Sequence, residues 1–186
     1  MTSILSGVVA SGKTGHLSSP IAGSFDALAT ISPSGVSTVT FNGIPNTYTH
    51  LQLRVSMLGA AGGSLLTIRF NGDTGNNYTW HALTSQGTGA GSFGATAQSY
   101  ANVFGRDVGT SATYPTAVIS DILEYSNSTK NKVIRTISGM DANGSGEIHF
   151  VSNTWLNTTP INSLTFRTHD GTNFASGTSI ALYGVK

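Results

Sequence analysis

From Ser24 onward, apolar and polar residues alternate with a period of two. The segment His50-Leu51-Gln52-Leu53-Arg54-Val55-Ser56-Met57 is the clearest case. Leu51, Leu53, Val55 and Met57 fall on one face of a strand, and His50, Gln52, Arg54 and Ser56 fall on the other. Leu66, Ile68 and Phe70 repeat the pattern against Thr67 and Arg69. Further strands are predicted over about 25–31, 36–42, 78–85, 98–104, 115–125, 132–139, 146–152, 161–168 and 178–185. Turn signals separate them: Pro33-Ser34-Gly35, Gly43-Ile44-Pro45, Asn71-Gly72-Asp73, Asn143-Gly144 and Asp170-Gly171-Thr172-Asn173. Roughly ten short strands at this spacing predict an all-β sandwich or barrel, with neither a helix nor an internal repeat. The Gly-rich stretch Gln86–Gly94 is expected to be a flexible loop at one end, suited either to recognition or to plain solvation.

Residues 1–23 lack this alternation. They are rich in Gly and Ser, with one Lys and one Pro, and are expected to form an extended arm ahead of a single β domain over 24–186. At 186 residues, one domain has room for a full core. Only 9% of residues are charged, against roughly 25% in an ordinary soluble domain. Solubility therefore rests on Ser, Thr, Asn and the 23 Gly, and few charges need desolvation at a subunit contact. The net charge of +1 supplies no basic field for nucleic acid or for an anionic membrane. With no Cys, disulfides and thiolate metal sites are excluded. Met1–Ala10 has no basic leading region and no unbroken apolar core, so no signal peptide is expected, and no apolar run is long enough to span a bilayer as a helix. Sequons at Asn77, Asn127, Asn143 and Asn157 fit the Asn/Thr-rich composition without an export signal.

Three motifs invite chemistry, and each has a plainer account. Gly7-Val8-Val9-Ala10-Ser11-Gly12-Lys13-Thr14 matches a phosphate loop letter for letter, but that loop needs a following helix, and Pro20 would break one within two turns. Asp141-Ala142-Asn143-Gly144-Ser145-Gly146 copies the first half of a calcium loop. Position twelve, however, is Ser152 rather than a bidentate Glu, and a tight Asn-Gly hairpin explains the same residues. Asn71, Asp73, Asn76 and Asn77 form a second oxygen-rich turn, for which Asx hydrogen bonding is the simpler account. No two of His16, His50, His81, His149 and His169 stand at a close metal-ligand spacing. Asp121 and Glu124 are expected to point to opposite faces of a strand, which denies them a paired acid–base role. Tyr78, Trp80, Tyr100, Tyr114 and Trp155 are either core and interface aromatics or a platform for stacking sugars.

Taken in order, Phe41–Leu51, Phe70–Tyr78, Asp121–Tyr125, Gly144-Ser145-Gly146, Trp155 with Pro160–Leu164, and the Leu182-Tyr183-Gly184 ending resemble a group of tailed-phage virion proteins over about residues 24–186. The resemblance implies a jelly-roll-like antiparallel β-sandwich on the particle, often trimeric, with no catalytic residue; no metal or cofactor is expected. The expected function is capsid decoration: a cement protein that binds the outside of the shell as a homotrimer, with the major capsid protein as partner, and with neither nucleic acid nor membrane. The alternative is a receptor- or glycan-binding module of a tail or fibre. A third expectation, a glycan-cleaving enzyme, requires two carboxylates within about 10 Å in a groove.

Overall fold

The computed structural model describes residues 24–58, 65–104 and 113–186. The expected arm over 1–23 and the phosphate-loop-like stretch 7–14 lie outside these residues. Twelve strands make up the described chain: β1 (Phe25–Ile31), β2 (Thr38–Asn42), β3 (His50–Met57), β4 (Leu66–Phe70), β5 (Tyr78–Gln86), β6 (Gly89–Gln98), β7 (Ala101–Phe104), β8 (Thr116–Leu123), β9 (Lys132–Asp141), β10 (Gly146–Trp155), β11 (Ser163–Thr168) and β12 (Ser179–Val185). Among the described residues there is no helix, and so none long and apolar enough to cross a membrane.

The strands form two antiparallel sheets packed as a sandwich. The larger runs β1-β12-β3-β8-β9-β10-β5-β6 and the smaller β2-β11-β4-β7. If β5, β6, β9 and β10 are set aside, the remaining strands lie in the orders β1-β12-β3-β8 and β2-β11-β4-β7, and the chain crosses from sheet to sheet at each of its first three steps. The four strands set aside widen the larger sheet, and β9 and β10 lie against β7 of the smaller one.

The period-two pattern places the core where expected in β3, where Leu51, Leu53, Val55 and Met57 are buried. They meet Ile68 and Phe70 of β4 and Leu164 and Phe166 of β11 in one hydrophobic cluster. Fully burying each such side chain contributes about 1.5–3 kcal/mol. The closing Leu182-Tyr183-Gly184 sequence also has a packing reason. A Cβ on Gly184 would run into the ring of Tyr48, so only glycine lets that ring lie against β12.

The expected flexible loop at 86–94 is corrected. It is a β-hairpin that turns through Gly87 and Thr88, with Gln86 paired to Gly89 and Ala82 paired to Phe93. Strand β6 lacks the alternating large apolar residues that mark a half-buried strand because it is an edge strand lying past the smaller sheet.

Candidate functional site

The oxygen-rich turns are latches within the sandwich. Asn71 and Gly72 both have positive φ (51° and 68°), and Asp73 N–H donates to Phe70 O at 2.8 Å, which closes a tight turn. Asn71 Oδ1 accepts from the N–H groups of Asn162 and Ser163, and its Nδ2 donates to Pro160 O, which pins the approach to β11. The Asp73 carboxylate accepts from Trp155 Nε1 at 2.7 Å, Gly75 N–H at 2.8 Å and Asn77 Nδ2 at 3.0 Å. Burial alone would raise its pKa, but the bonds from Asn77, Trp155 and Gly75 together outweigh that and hold it below the ordinary value. Trp155 is buried against Phe70 (ring centroids 5.5 Å apart) and stacked on Tyr78 (6.2 Å), so it belongs to the core and not to a sugar platform. The hydroxyl of Tyr78 accepts from Phe70 N–H, and burial pushes its pKa well above the usual tyrosine range.

Two further latches close the same end. Tyr125, at the end of Asp121-Ile122-Leu123-Glu124-Tyr125, is fully buried and donates its hydroxyl to Pro45 O, fixing the 43–48 loop. Lys132 is also fully buried. Its Nζ donates to the carbonyls of Asn127 (2.6 Å), Lys130 (2.8 Å) and Thr158 (2.9 Å), and burial lowers its pKa. Sequence reasoning missed Lys132; its only signal was a lysine at the start of an apolar-alternating strand.

The hairpin at 141–146 joins β9 to β10. Ala142 N–H donates to Ser145 O, Gly144 N–H donates to Asp141 Oδ1, and Asn143 and Gly144 have the positive φ of a type I′ turn. Among the described residues no group of three or more His, Asp or Glu side chains is placed to hold a metal. His50 Nδ1 accepts from Glu124 N–H, His169 packs on Tyr100, and Glu124 pairs with Lys130 at 2.8 Å. Asp121, on β8, accepts from Gln52 Nε2. Tyr114 is part-exposed and lies outside the aromatic clusters described above.

Across the middle of the larger sheet, polar side chains share the inward face with the buried Val118, Ile134 and Val151, while large apolar side chains stand on the outside. Facing inward are Ser120, Thr136, Ser138, Glu147, His149 and Asn153, all buried. Ser120 bonds Thr136 at 2.8 Å, Ser138 donates to Val103 O at 2.9 Å, and the Asn153 amide closes a pair of bonds with the backbone of Asn102. Facing outward are Ile119, Ile137, Phe150 and Leu83, directly opposite one another in register across β8, β9, β10 and β5. With Ile148 beside them, these five side chains are between 42% and 61% exposed. Directly opposed side chains lie about 5 Å apart, so the row is one continuous apolar stripe rather than scattered residues.

On the inward face, past the edge of the smaller sheet, the β5–β6 hairpin overhangs a cleft of about 450 Å³. Trp80, Ala82, Thr84 and Gln86 of β5 line it, beside Glu147 and His149 of β10 and Phe93 of β6 on the same face, with Asn102 of β7 from the other sheet. Glu147 Oε1 accepts from Gln86 Nε2 at 2.7 Å, and Oε2 lies 2.9 Å from His149 Nε2. The aromatic set proposed from sequence is therefore divided, with Tyr78 and Trp155 in the core and Trp80 at the cleft. The Glu147–His149 pair and Phe93 were not singled out from sequence. Glu147 is the sole carboxylate among the described residues that line this cleft, so it does not supply the two-carboxylate groove of a glycan hydrolase. Comparison with known proteins adds no relative: no family model, curated protein or solved structure matches the chain.

Proposed function

We propose that this protein is a capsid decoration, or cement, protein. It binds the outside of a phage shell as a homotrimer, with the major capsid protein as its partner, and has no catalytic role. The observation that carries this reading is the outward apolar stripe of Ile119, Ile137, Phe150, Leu83 and Ile148 over a layer of buried polar side chains. A free-standing sandwich would be expected to place these two sets the other way round. Large contiguous apolar patches mark interaction surfaces, and a chain with only 9% charged residues has little else to desolvate when such a face is covered. We assign the stripe to the contact between copies and residues 1–23 to attachment on the shell. We read the eight-strand framework β1-β12-β3-β8 with β2-β11-β4-β7 as a jelly roll widened by two hairpins. That form suits a rigid clamp at a symmetry axis.

Sedimentation equilibrium tests the contact. The expected result is a trimer for the full chain and a folded monomer for the Ile137→Lys/Phe150→Lys variant, because two charges buried in an apolar contact are costly to desolvate. A monomeric parent chain, or a double variant that remains trimeric, would refute the assignment. Removal of residues 1–20 is expected to leave the trimer folded and to weaken its attachment to shells.

A further inference from the structure

The outward face of the smaller sheet carries two arginines and, among the described residues, no acid paired with them. Arg69 on β4 and Arg167 on β11 point away from the core, since Ile68 and Phe70 of one strand and Leu164 and Phe166 of the other point into it. The ladder sets Arg69 opposite Thr165 and Arg167 opposite Thr67, so the two arginines are diagonal neighbours on one face. Diagonal positions lie about 7–8 Å apart, within reach of long side chains. Both arginines are half-buried, and Thr67, beside them on the same face, is fully buried. Burial first, and then the charge of Arg69, hold the pKa of Arg167 below its ordinary value, so the two guanidiniums repel one another.

The chain holds both guanidiniums in place without neutralising either. Arg69 donates from Nε to Ser99 O at 3.0 Å and from Nη2 to Ser99 Oγ at 3.5 Å, and Arg167 donates from Nη2 to His169 O at 2.9 Å. All three acceptors are uncharged. Among the described residues, carboxylates meet basic side chains at Lys130–Glu124, His149–Glu147 and Lys186–Asp26 alone. The other carboxylates, Asp73, Asp121, Asp141 and Asp170, bond to Trp155, to Gln52 and to the Gly144 and Thr172 N–H groups. Each guanidinium has five N–H donors, of which Arg69 commits two and Arg167 one. A ligand for the pair must therefore be negative, accept several hydrogen bonds and balance two positive charges. One carboxylate brings a single charge and two oxygens. A phosphate group brings close to two charges and three acceptor oxygens, and arginine binds it with two parallel N–H bonds.

We propose that Arg69 and Arg167 together bind one phosphate group, either free inorganic phosphate or a monoester carried on a larger molecule. The site lies on the other sheet from the apolar stripe and shares no residue with it, so it stands or falls separately from the decoration reading.

The test compares arginines within the full chain by proton–carbon NMR of their δ-methylene groups at about pH 8, where a phosphate group carries close to two charges. Arg54 is the internal control: it is exposed on the larger sheet, 4.9 Å from the ring of Phe25 and 4.7 Å from that of Tyr183. Inorganic phosphate, glycerol phosphate and acetate are titrated in turn at constant ionic strength. At least one phosphate compound is expected to shift Arg69 and Arg167 together and saturably, at least about tenfold more tightly than acetate, while Arg54 stays in place. Tighter binding of glycerol phosphate identifies a carried monoester, and inorganic phosphate binding at least as tightly identifies the free ion. Arg167→Gln is expected to weaken the response at Arg69 about tenfold, and Arg69→Gln the response at Arg167 likewise, with an unmoved Arg54 signal certifying each fold. The proposal is overturned if neither phosphate compound shifts the pair, if Arg54 shifts with it, if acetate binds as tightly, or if either variant binds phosphate as tightly as the parent chain.

Discussion

The two ends of strand β10 solve opposite problems. At one end Trp155 is sealed among Phe70 and Tyr78, with its indole N–H on the Asp73 carboxylate. At the other, roughly 26 Å along the strand, Glu147 and His149 line an open cleft that runs back along β10 as far as Trp80 and Asn102, beside Asn153, where Trp80 Nε1 and Asn102 Oδ1 have no partner among the described residues. The sealed end and the cleft each combine tryptophan, carboxylate and amide. They differ in what completes the hydrogen bonding: at the sealed end the chain supplies every partner named, and along the cleft two buried atoms have none among the described residues. Residue type alone therefore does not distinguish a latch from a site. The distinguishing feature is whether the polar atoms are already satisfied and whether a facing sheet covers them.

This contrast predicts unequal responses to substitution. The largest effect is expected for Trp155→Ala, which should destabilise the fold by about 3–5 kcal/mol in urea unfolding, because it empties a large core volume and strands the Asp73 carboxylate. A loss below about 1 kcal/mol would remove the latch from the account. Next comes Lys132→Met, which keeps the apolar stem but leaves the Asn127, Lys130 and Thr158 carbonyls without their donor. It should cost about 2–3 kcal/mol, read by the same unfolding curves.

Asp73→Asn should cost about 1–2 kcal/mol and should also change the acid response. Because the folded-state pKa of Asp73 is depressed, its contribution is fully present above the ordinary carboxylate pKa of about 3.9 and is lost as pH falls through the lower folded value. Thermal unfolding followed downward from pH 5 should therefore fall less steeply in Asp73→Asn than in the parent. Equal slopes would mean that the carboxylate is not stabilised as described. The smallest effect is expected at the open end. Phe93→Ala should change stability by no more than about 0.5 kcal/mol, since its ring is mostly in solvent. A large loss there would make the cleft part of the core and erase the difference between the two ends.

The sequence made the latched end more legible than the open one, for a physical reason. Latches are built from local grammar: Asn71-Gly72 and Asn143-Gly144 declare turns because few other residues tolerate positive φ, and Leu51, Leu53, Val55 and Met57 declare a core face by alternation. Strand β6 carries no such mark. Its Gly, Ala and Ser residues read as a loop, yet they form an edge strand whose small side chains leave the cleft open. The outward stripe was equally hidden. The segment Ile134-Arg135-Thr136-Ile137-Ser138 alternates acceptably in either sense, and only the register of β9 against β8 and β10 shows that Ile137 lies outside between Ile119 and Phe150. Trp155 and Trp80 could not be told apart from sequence, because burial depends on where the smaller sheet ends.

The central claim, that the protein decorates a capsid, is tested most directly by immunogold electron microscopy of purified virions with antibody against the full chain. Label distributed over the head is the predicted result. Label confined to the tail, or intact particles that carry none, would contradict it.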